Sequence, residues 1–322
     1  MSHPGSVSGD PTTMNNALTF DLEDYYHVTA FSDELDPQDW KSRESRLQTN
    51  TEKILQLLAD RDCKATFFVL GWAAKHYPAV VSRVAKCGHE IACHSYQHRL
   101  VYEMTPEEFR QDTYRAKSLL EDLSGQPVRG YRAPSFSVTR DSLWALDVLA
   151  ELGFEYDSSI FPVPHINYGI PDAPRFPFRV MTRHGEILEF PMPAVEFGGR
   201  RAPFGGGAYL RLLPYWYTRW AVRLINEQEE WPVCIYLHPW ELDSEQPRMG
   251  QKRTARLRQY WGLRSTKEKL RQLLTDFEFC SLGSLIEQIR ENVPEASLGI
   301  ATPAKTPANR ISQPNAPWSV LK

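Results

Sequence analysis

The stretch Ala17-Leu-Thr-Phe-Asp-Leu-Glu-Asp-Tyr-Tyr26 decides how this chain is read. Leu18, Thr19 and Phe20 suit a buried strand, because branched and aromatic side chains fit a pleated, enclosed surface. Three carboxylates, Asp21, Glu23 and Asp24, then fall within four positions. Acids crowded at a strand end repel one another and lose hydration as they become enclosed. A fold tolerates them there only beside a cation or an arginine. On its own the stretch reads equally well as a solvated turn, where acids are common.

Outward from it, the chain alternates strands and helices. Residues 46–60 place Ile54, Leu57 and Leu58 at helical spacing, and 64–70 form a second strand stopped by Gly71. Tyr77-Pro78 opens a helix with Val80, Val81 and Val84 on one face, and 89–94 are strand-like. Thr105-Pro106-Glu107-Glu108 is a capped helix start, with that helix running to Leu123 before Gly125. A short strand at 128–134, a helix at 139–152 and a polar strand end at 155–160 follow. Residues 161–214 break into Pro-, Gly- and Arg-rich loops with one clear strand at 187–190. A helix at 215–229, a strand at 231–238 and helices at 265–277 and 282–289 complete the pattern.

Such repetition means parallel strands joined by crossover helices. No Gly-rich phosphate fingerprint follows the first strand, so the α/β fold expected is a distorted or incomplete (β/α) barrel rather than a doubly wound sheet. The polar motifs all fall at strand C-terminal ends, where such barrels place their chemistry.

Composition narrows the function classes. The chain has 322 residues, 42% of them hydrophobic and 24% charged, enough for a sizeable core. A net charge of −3 without a Lys/Arg-rich run argues against a nucleic-acid partner. Residues 1–15 read as a disordered leader without the basic start and apolar stretch of a signal peptide. Apolar runs such as Val233-Cys-Ile-Tyr-Leu237 are strand-sized, so no transmembrane segment is expected. Five irregularly spaced cysteines point to a reducing compartment, and so to the cytoplasm. The expected organisation is a catalytic domain at 16–291, with a loop-rich, aromatic insertion at 161–230, and a disordered Pro/Ala-rich tail at 292–322.

Several residues could carry chemistry. His94 and His98 are four apart, and in a helical turn their rings would converge on one metal ion. His89 and His94 are five apart, which excludes the zinc-protease signature. Two histidines leave a divalent ion under-ligated, and the crowded acids could supply a carboxylate. Arg132, at another strand end, could pair with one of them and hold it ionised. His238 could act as an acid–base group, with Asp157 orienting it. Together these suit metal-assisted hydrolysis of an amide or ester.

The ordered set Thr-Phe-Asp-x-Glu-Asp, His-Ser-x-x-His, Arg-x-Pro, Asp-Ser-Ser and Leu-His resembles the NodB-like polysaccharide deacetylases, carbohydrate esterase family 4, over about residues 18–238. His238-Pro-Trp-Glu and the aromatic, Arg-rich segment before it resemble the branch found beside PEP-CTERM-type exopolysaccharide loci. The resemblance implies an N-deacetylase acting on N-acetylated amino sugars of a polysaccharide or its lipid-linked precursor, peripheral to the inner membrane face if membrane-linked. It implies a divalent metal (Zn, or else Co or Ni) held by His94 and His98. Asp21 would be the base, Arg132 its partner, His238 the acid, Asp157 its support, and the Ser135 backbone N–H an oxyanion donor. The family's adjacent acids are here spread as Asp21-Leu-Glu23-Asp24, so either Glu23 or Asp24 would be the third ligand; strand alternation favours Glu23. If neither reaches the metal, the chain would sit with metal-independent relatives acting on small cyclic amides. A catalytically silent glycan-binding module using the region of Trp216, Trp220 and Trp240 is the alternative from another class.

Overall fold

The computed structural model describes residues 14–31, 35–165, 168–250 and 253–298. In chain order the strands are β1 (Asn15–Leu22), β2 (Thr66–Val69), β3 (Glu90–Cys93), β4 (Gly130–Tyr131), β5 (Tyr156–Asp157), β6 (Phe178–Thr182), β7 (Gly185–Glu189), β8 (Ala194–Phe197), β9 (Arg200–Pro203), β10 (Cys234–Leu237) and β11 (Glu278–Cys280). The helices are α1 (Leu47–Ala59), α2 (Gly71–His76), α3 (Pro78–Lys86), α4 (Pro106–Ser124), α5 (Trp144–Glu151), α6 (Ala208–Leu212), α7 (Tyr215–Arg223), α8 (Arg253–Tyr260), α9 (Leu263–Asp276) and α10 (Leu282–Ile289).

One sheet runs β10-β1-β2-β3-β4-β5-β7-β6, with β11 paired to the start of β1. Every pairing is parallel except the β6–β7 hairpin. This is the expected distorted (β/α) barrel, left open between β10 and β6. The outer edge of β10 is covered by residues 205–207. Tyr236 N–H donates to Gly205 O, and Gly207 N–H donates to Tyr236 O, both at 2.9 Å. A Cβ on Gly206 would fall 1.9 Å from Tyr236 O, so this edge closes only with glycine.

Strand alternation divides the core. Leu18, Phe20, Phe67, Val69, Ile91 and Leu237 pack beneath the helices. The opposite set, Ala17, Phe68, Ala92, Tyr156, Leu188 and Cys234, packs with Leu282, Leu285 and Ile286 of α10. The α10 N-terminus donates from Leu282 N–H to Thr66 Oγ1 (2.7 Å) and from Gly283 N–H to Glu90 Oε2 (2.8 Å). These are the first residues of β2 and β3, so α10 closes the N-terminal mouth of the barrel and leaves the C-terminal mouth for the polar motifs.

Three expectations change. Gly71 does not merely stop β2: it opens α2, and a Cβ there would lie 2.6 Å from the Tyr96 ring, so close packing fixes the glycine. The loop-rich stretch holds two hairpins, β6–β7 and β8–β9. The second turns through Gly198 and Gly199 at φ 54° and 74°, a two-glycine signal readable in the sequence. Part of the expected tail is ordered against the sheet. Residues 292–298 dock on β6 through Arg179 N–H to Pro294 O (2.8 Å) and Ala296 N–H to Arg179 O (2.9 Å), burying Val293 and Leu298. The rest of the expected leader and tail lies outside the described residues.

Candidate active site

At the end of β1 the chain turns tightly, Glu23 N–H donating to Asp21 O at 3.0 Å. Asp21, Glu23 and Asp24 are all buried, at 3%, 2% and 1% exposure, so the solvated-turn reading is excluded. The three carboxylates part company there.

Asp21 meets Arg132, which follows β4 and is fully buried. All five guanidinium N–H groups have partners. Nη1 donates to Asp21 Oδ1 and Thr19 Oγ1, both at 2.8 Å. Nε donates to Ser158 O (3.2 Å), and Nη2 to Ser158 Oγ (3.1 Å) and Cys234 Sγ (3.4 Å). The cation also lies 4.1 Å over the Phe68 ring. A buried charge is tolerable on these terms, paired and fully hydrogen-bonded.

Glu23 meets the histidines. One ligand atom each from Glu23, His94 and His98 lies within 4.8 Å of the others, with Glu23 Oε2 2.8 Å from His98 Nε2. His94 Nδ1 lies 2.8 Å from the Arg132 carbonyl, which fixes Nδ1 as the N–H and leaves Nε2 as the free lone pair. The His94–His98 segment is not a helical turn. Ser95 and His98 take left-handed conformations at φ 64° and 57°. Asp112 on α4 organises this bend by accepting from Ser95 Oγ (2.9 Å), Tyr96 N–H (2.7 Å) and Gln97 N–H (3.2 Å). Nothing near His94 in the sequence pointed to Asp112.

Asp24 turns away. Its Oδ2 accepts from Ser45 Oγ (2.7 Å), Arg46 N–H (2.9 Å) and Leu47 N–H (3.2 Å), and its Oδ1 accepts the Tyr25 N–H (3.0 Å). It therefore ties the strand end to the start of α1 and stands outside the histidine cluster.

His238, just past β10, faces both acids: Nε2 is 3.9 Å from Asp21 Oδ2 and 3.6 Å from Glu23 Oε1. Its other nitrogen meets Glu241, with Nδ1 to Oε2 at 3.3 Å. Asp157, expected in that supporting place, instead accepts from Ser159 Oγ at 2.5 Å and faces Glu189. Glu241 was legible in retrospect. Pro239 at the first helical position with Glu241 at the third is a capping pattern, which delivers the carboxylate back to His238 N–H at 3.1 Å. Trp240 stacks on the His238 ring at 4.9 Å. Ser135 sits in the turn after Arg-Ala-Pro at φ 51°, its hydroxyl 2.6 Å from that of Thr29.

Electrostatics separates the roles. Burial opposes ionisation of Glu23, but His98, with His238 and His94, holds its carboxyl well below the usual range. Burial pushes the His94 imidazole down to about 4, leaving it neutral and able to ligate. Burial also opposes charge on His238, yet its hydrogen bond to Glu241 and the charges of Glu241, Glu23 and Asp21 raise it to about 9. Two imidazoles and a carboxylate match a divalent-ion donor set. Glu23 Oε2 is buried without a hydrogen bond of good geometry and is aimed at the ring nitrogens. The residues fit the implied metal.

Residues 14–156 match the family model described as polysaccharide deacetylase, and residues 158–287 match one described as a domain of unknown function (DUF3473). The chain is 34% identical over 98 residues to a peptidoglycan-N-acetylglucosamine deacetylase of Bacillus cereus, covering 30% of this chain and 36% of that one. It is 32% identical over 85 residues to a chitooligosaccharide deacetylase of Azorhizobium caulinodans, covering 26% of this chain and 40% of that one. The alignments therefore span less than half of either relative's length. A solved structure from Mycobacterium smegmatis, described as a candidate polysaccharide deacetylase, shares the fold with a TM-score of 0.59 at 19% identity, covering 92% of this chain and 98% of that one. Residues 14–156 thus belong to the polysaccharide deacetylase family, and they are joined here to a DUF3473 region over residues 158–287.

Proposed function

We propose that this chain is a metal-dependent carbohydrate N-deacetylase, acting on N-acetylated amino sugars of a polysaccharide or its lipid-linked precursor during exopolysaccharide synthesis. One observation carries the reading. Asp21, held by Arg132, and His238, held by Glu241, converge on the cluster of Glu23, His94 and His98.

A divalent ion bound by those three residues supplies Lewis acidity toward a carbonyl and acidifies water. Asp21 has Oδ1 tied to Arg132, leaving Oδ2 to take a proton from the attacking water. As the water oxygen bonds to the acetyl carbon and the carbon–nitrogen bond breaks, His238 gives its Nε2 proton to the departing amine. Glu241 keeps that imidazole charged beforehand. Ser135, in the strained turn beside Arg132, is the proposed backbone donor to the oxyanion.

Glu23 within ligand reach weighs against the metal-independent reading on cyclic amides. Trp240 is buried against His238 and Trp220 stacks on Phe197, so neither joins exposed Trp216 in the platform a glycan-binding module would need. Five free cysteines support a reducing, cytoplasmic setting, and no helix among the described residues is long and apolar enough to cross a membrane. Strands from both matched regions share one sheet, which supports a single catalytic unit over 16–291.

The test is acetate release from N-acetylated oligosaccharides by chelated protein, with Zn, Co or Ni added back. Release restored by one of them and lost in His94→Ala is expected. No release with any metal would sink the reading.

A further inference from the structure

The Asp157-Ser158-Ser159 turn is the base on which Arg132 rests. Besides the Arg132 bonds to Ser158, the Ala133 N–H donates to Ser159 Oγ at 2.8 Å, and Ser159 in turn donates to Asp157 Oδ1. Asp157 ends β5 in register with Glu189, which ends β7. Glu189 Oε1 accepts the Ile160 N–H at 2.9 Å. The remaining oxygens, Asp157 Oδ2 and Glu189 Oε2, are both buried and take no hydrogen bond from any N–H or O–H donor, while the two carboxyl groups contact each other.

Two fully buried carboxylates in contact do not both ionise, whereas one proton between them satisfies both oxygens. We infer that Asp157 and Glu189 share a single proton, and that this pair is a positioning device which holds the Ser158–Ser159 turn, hence Arg132 and, through it, Asp21. The charged or titratable groups around the pair are Tyr131 from β4 and Arg132 just after it, while Phe178 lies opposite Glu189 on β6 and brings no charge. Burial raises both acids, Asp157 to about 6 and Glu189 further, in keeping with one proton retained by the pair at neutral pH. The positioning half of the inference rests on the deacetylase reading; the shared proton stands apart from it.

Glutamine at 189 keeps an N–H donor toward Asp157 and a carbonyl toward Ile160, while leucine keeps neither. Isotope-edited infrared spectra of Asp- and Glu-labelled protein are expected to show a protonated carboxyl at neutral pH, absent in Glu189→Gln. The melting temperature of the unsubstituted protein should fall relative to Glu189→Gln as pH rises from about 5 to about 8, because the native state alone retains the proton. Glu189→Gln should deacetylate within about threefold of the original rate, whereas Glu189→Leu should lose about tenfold or more in kcat with little change in KM. Water exchange of the Arg132 Nε–H, followed by NMR, should quicken in Glu189→Leu and not in Glu189→Gln. If Glu189→Leu does not fold, Ser159→Ala cuts the same connection and should quicken that exchange. A missing carboxyl band or a flat stability difference overturns the shared proton. Unchanged Arg132 exchange in both Glu189→Leu and Ser159→Ala overturns the positioning role. Because the spectra, melting curves and exchange need no turnover, a failed deacetylase assay is read separately.

Discussion

Glu241 Oε2 lies 3.3 Å from Nδ1 of His238, on the far side of the ring from Asp21, whose Oδ2 is 3.9 Å from Nε2. The imidazole is thus held in orientation, and kept charged with help from Glu23 and Asp21, by a residue on its own turn. Its raised pKa also bears on stability. A base whose folded value lies above its unfolded value stabilises the protein fully below the unfolded value, near 6.5, and loses that contribution as pH rises through about 9.

Glu241→Gln should therefore move the alkaline limb of the pH–rate profile toward neutrality and lower kcat at pH 8, by about 10²-fold if general acid catalysis is its main service. A profile recorded from pH 6 to 10 checks this. An unmoved limb would remove Glu241 from the mechanism.

Glu23 and Asp24 are neighbours with opposite fates. Glu23→Gln should weaken metal binding by about tenfold or more, read by calorimetry. Asp24→Ala should leave metal affinity intact but cost about 1–3 kcal/mol of stability, because the Arg46 and Leu47 N–H groups lose their acceptor. Chemical denaturation alongside calorimetry separates the two.

Asp112 touches neither ion nor glycan in this scheme, yet its carboxylate organises the bend bearing both histidines. Asp112→Ala should destabilise the fold by about 1–3 kcal/mol and weaken metal binding, since Ser95 and His98 then lose support for their left-handed conformations. Equal affinity in the variant would show that the bend is self-supporting.

Gly130 faces the Tyr156 ring so closely that a Cβ would sit 2.0 Å from its Cζ. Gly130→Ala should cost about 3 kcal/mol or more, or prevent folding, because Tyr156 is also held by Glu90 through a 2.8 Å hydrogen bond. Denaturant midpoints measure it.

The barrel was legible because its signals are local: β-rich runs, capped helices and glycine stops recur in alternation. Asp21, Arg132 and His238 were placed in one neighbourhood by the strand-end rule, helped by family resemblance. What sequence could not reveal depended on where side chains turn after a strand ends. Asp24 looks like a ligand until Ser45, Arg46 and Leu47 take its oxygens. Asp157 looks like a partner for histidine until the β5–β7 register sets it against Glu189. Those pairings join residues more than twenty positions apart and leave no periodic trace.

Arg132 offers its carbonyl to His94 and its guanidinium to Asp21. The first contact belongs to the main chain and survives any side chain at that position; the second belongs to arginine alone. Ion capture and proton handling can therefore drift apart under mutation. A descendant that lost only the guanidinium would keep the carbonyl that orients His94 while leaving Asp21 buried without its partner. One residue thus joins the two halves of the proposed site through groups that a single substitution would separate.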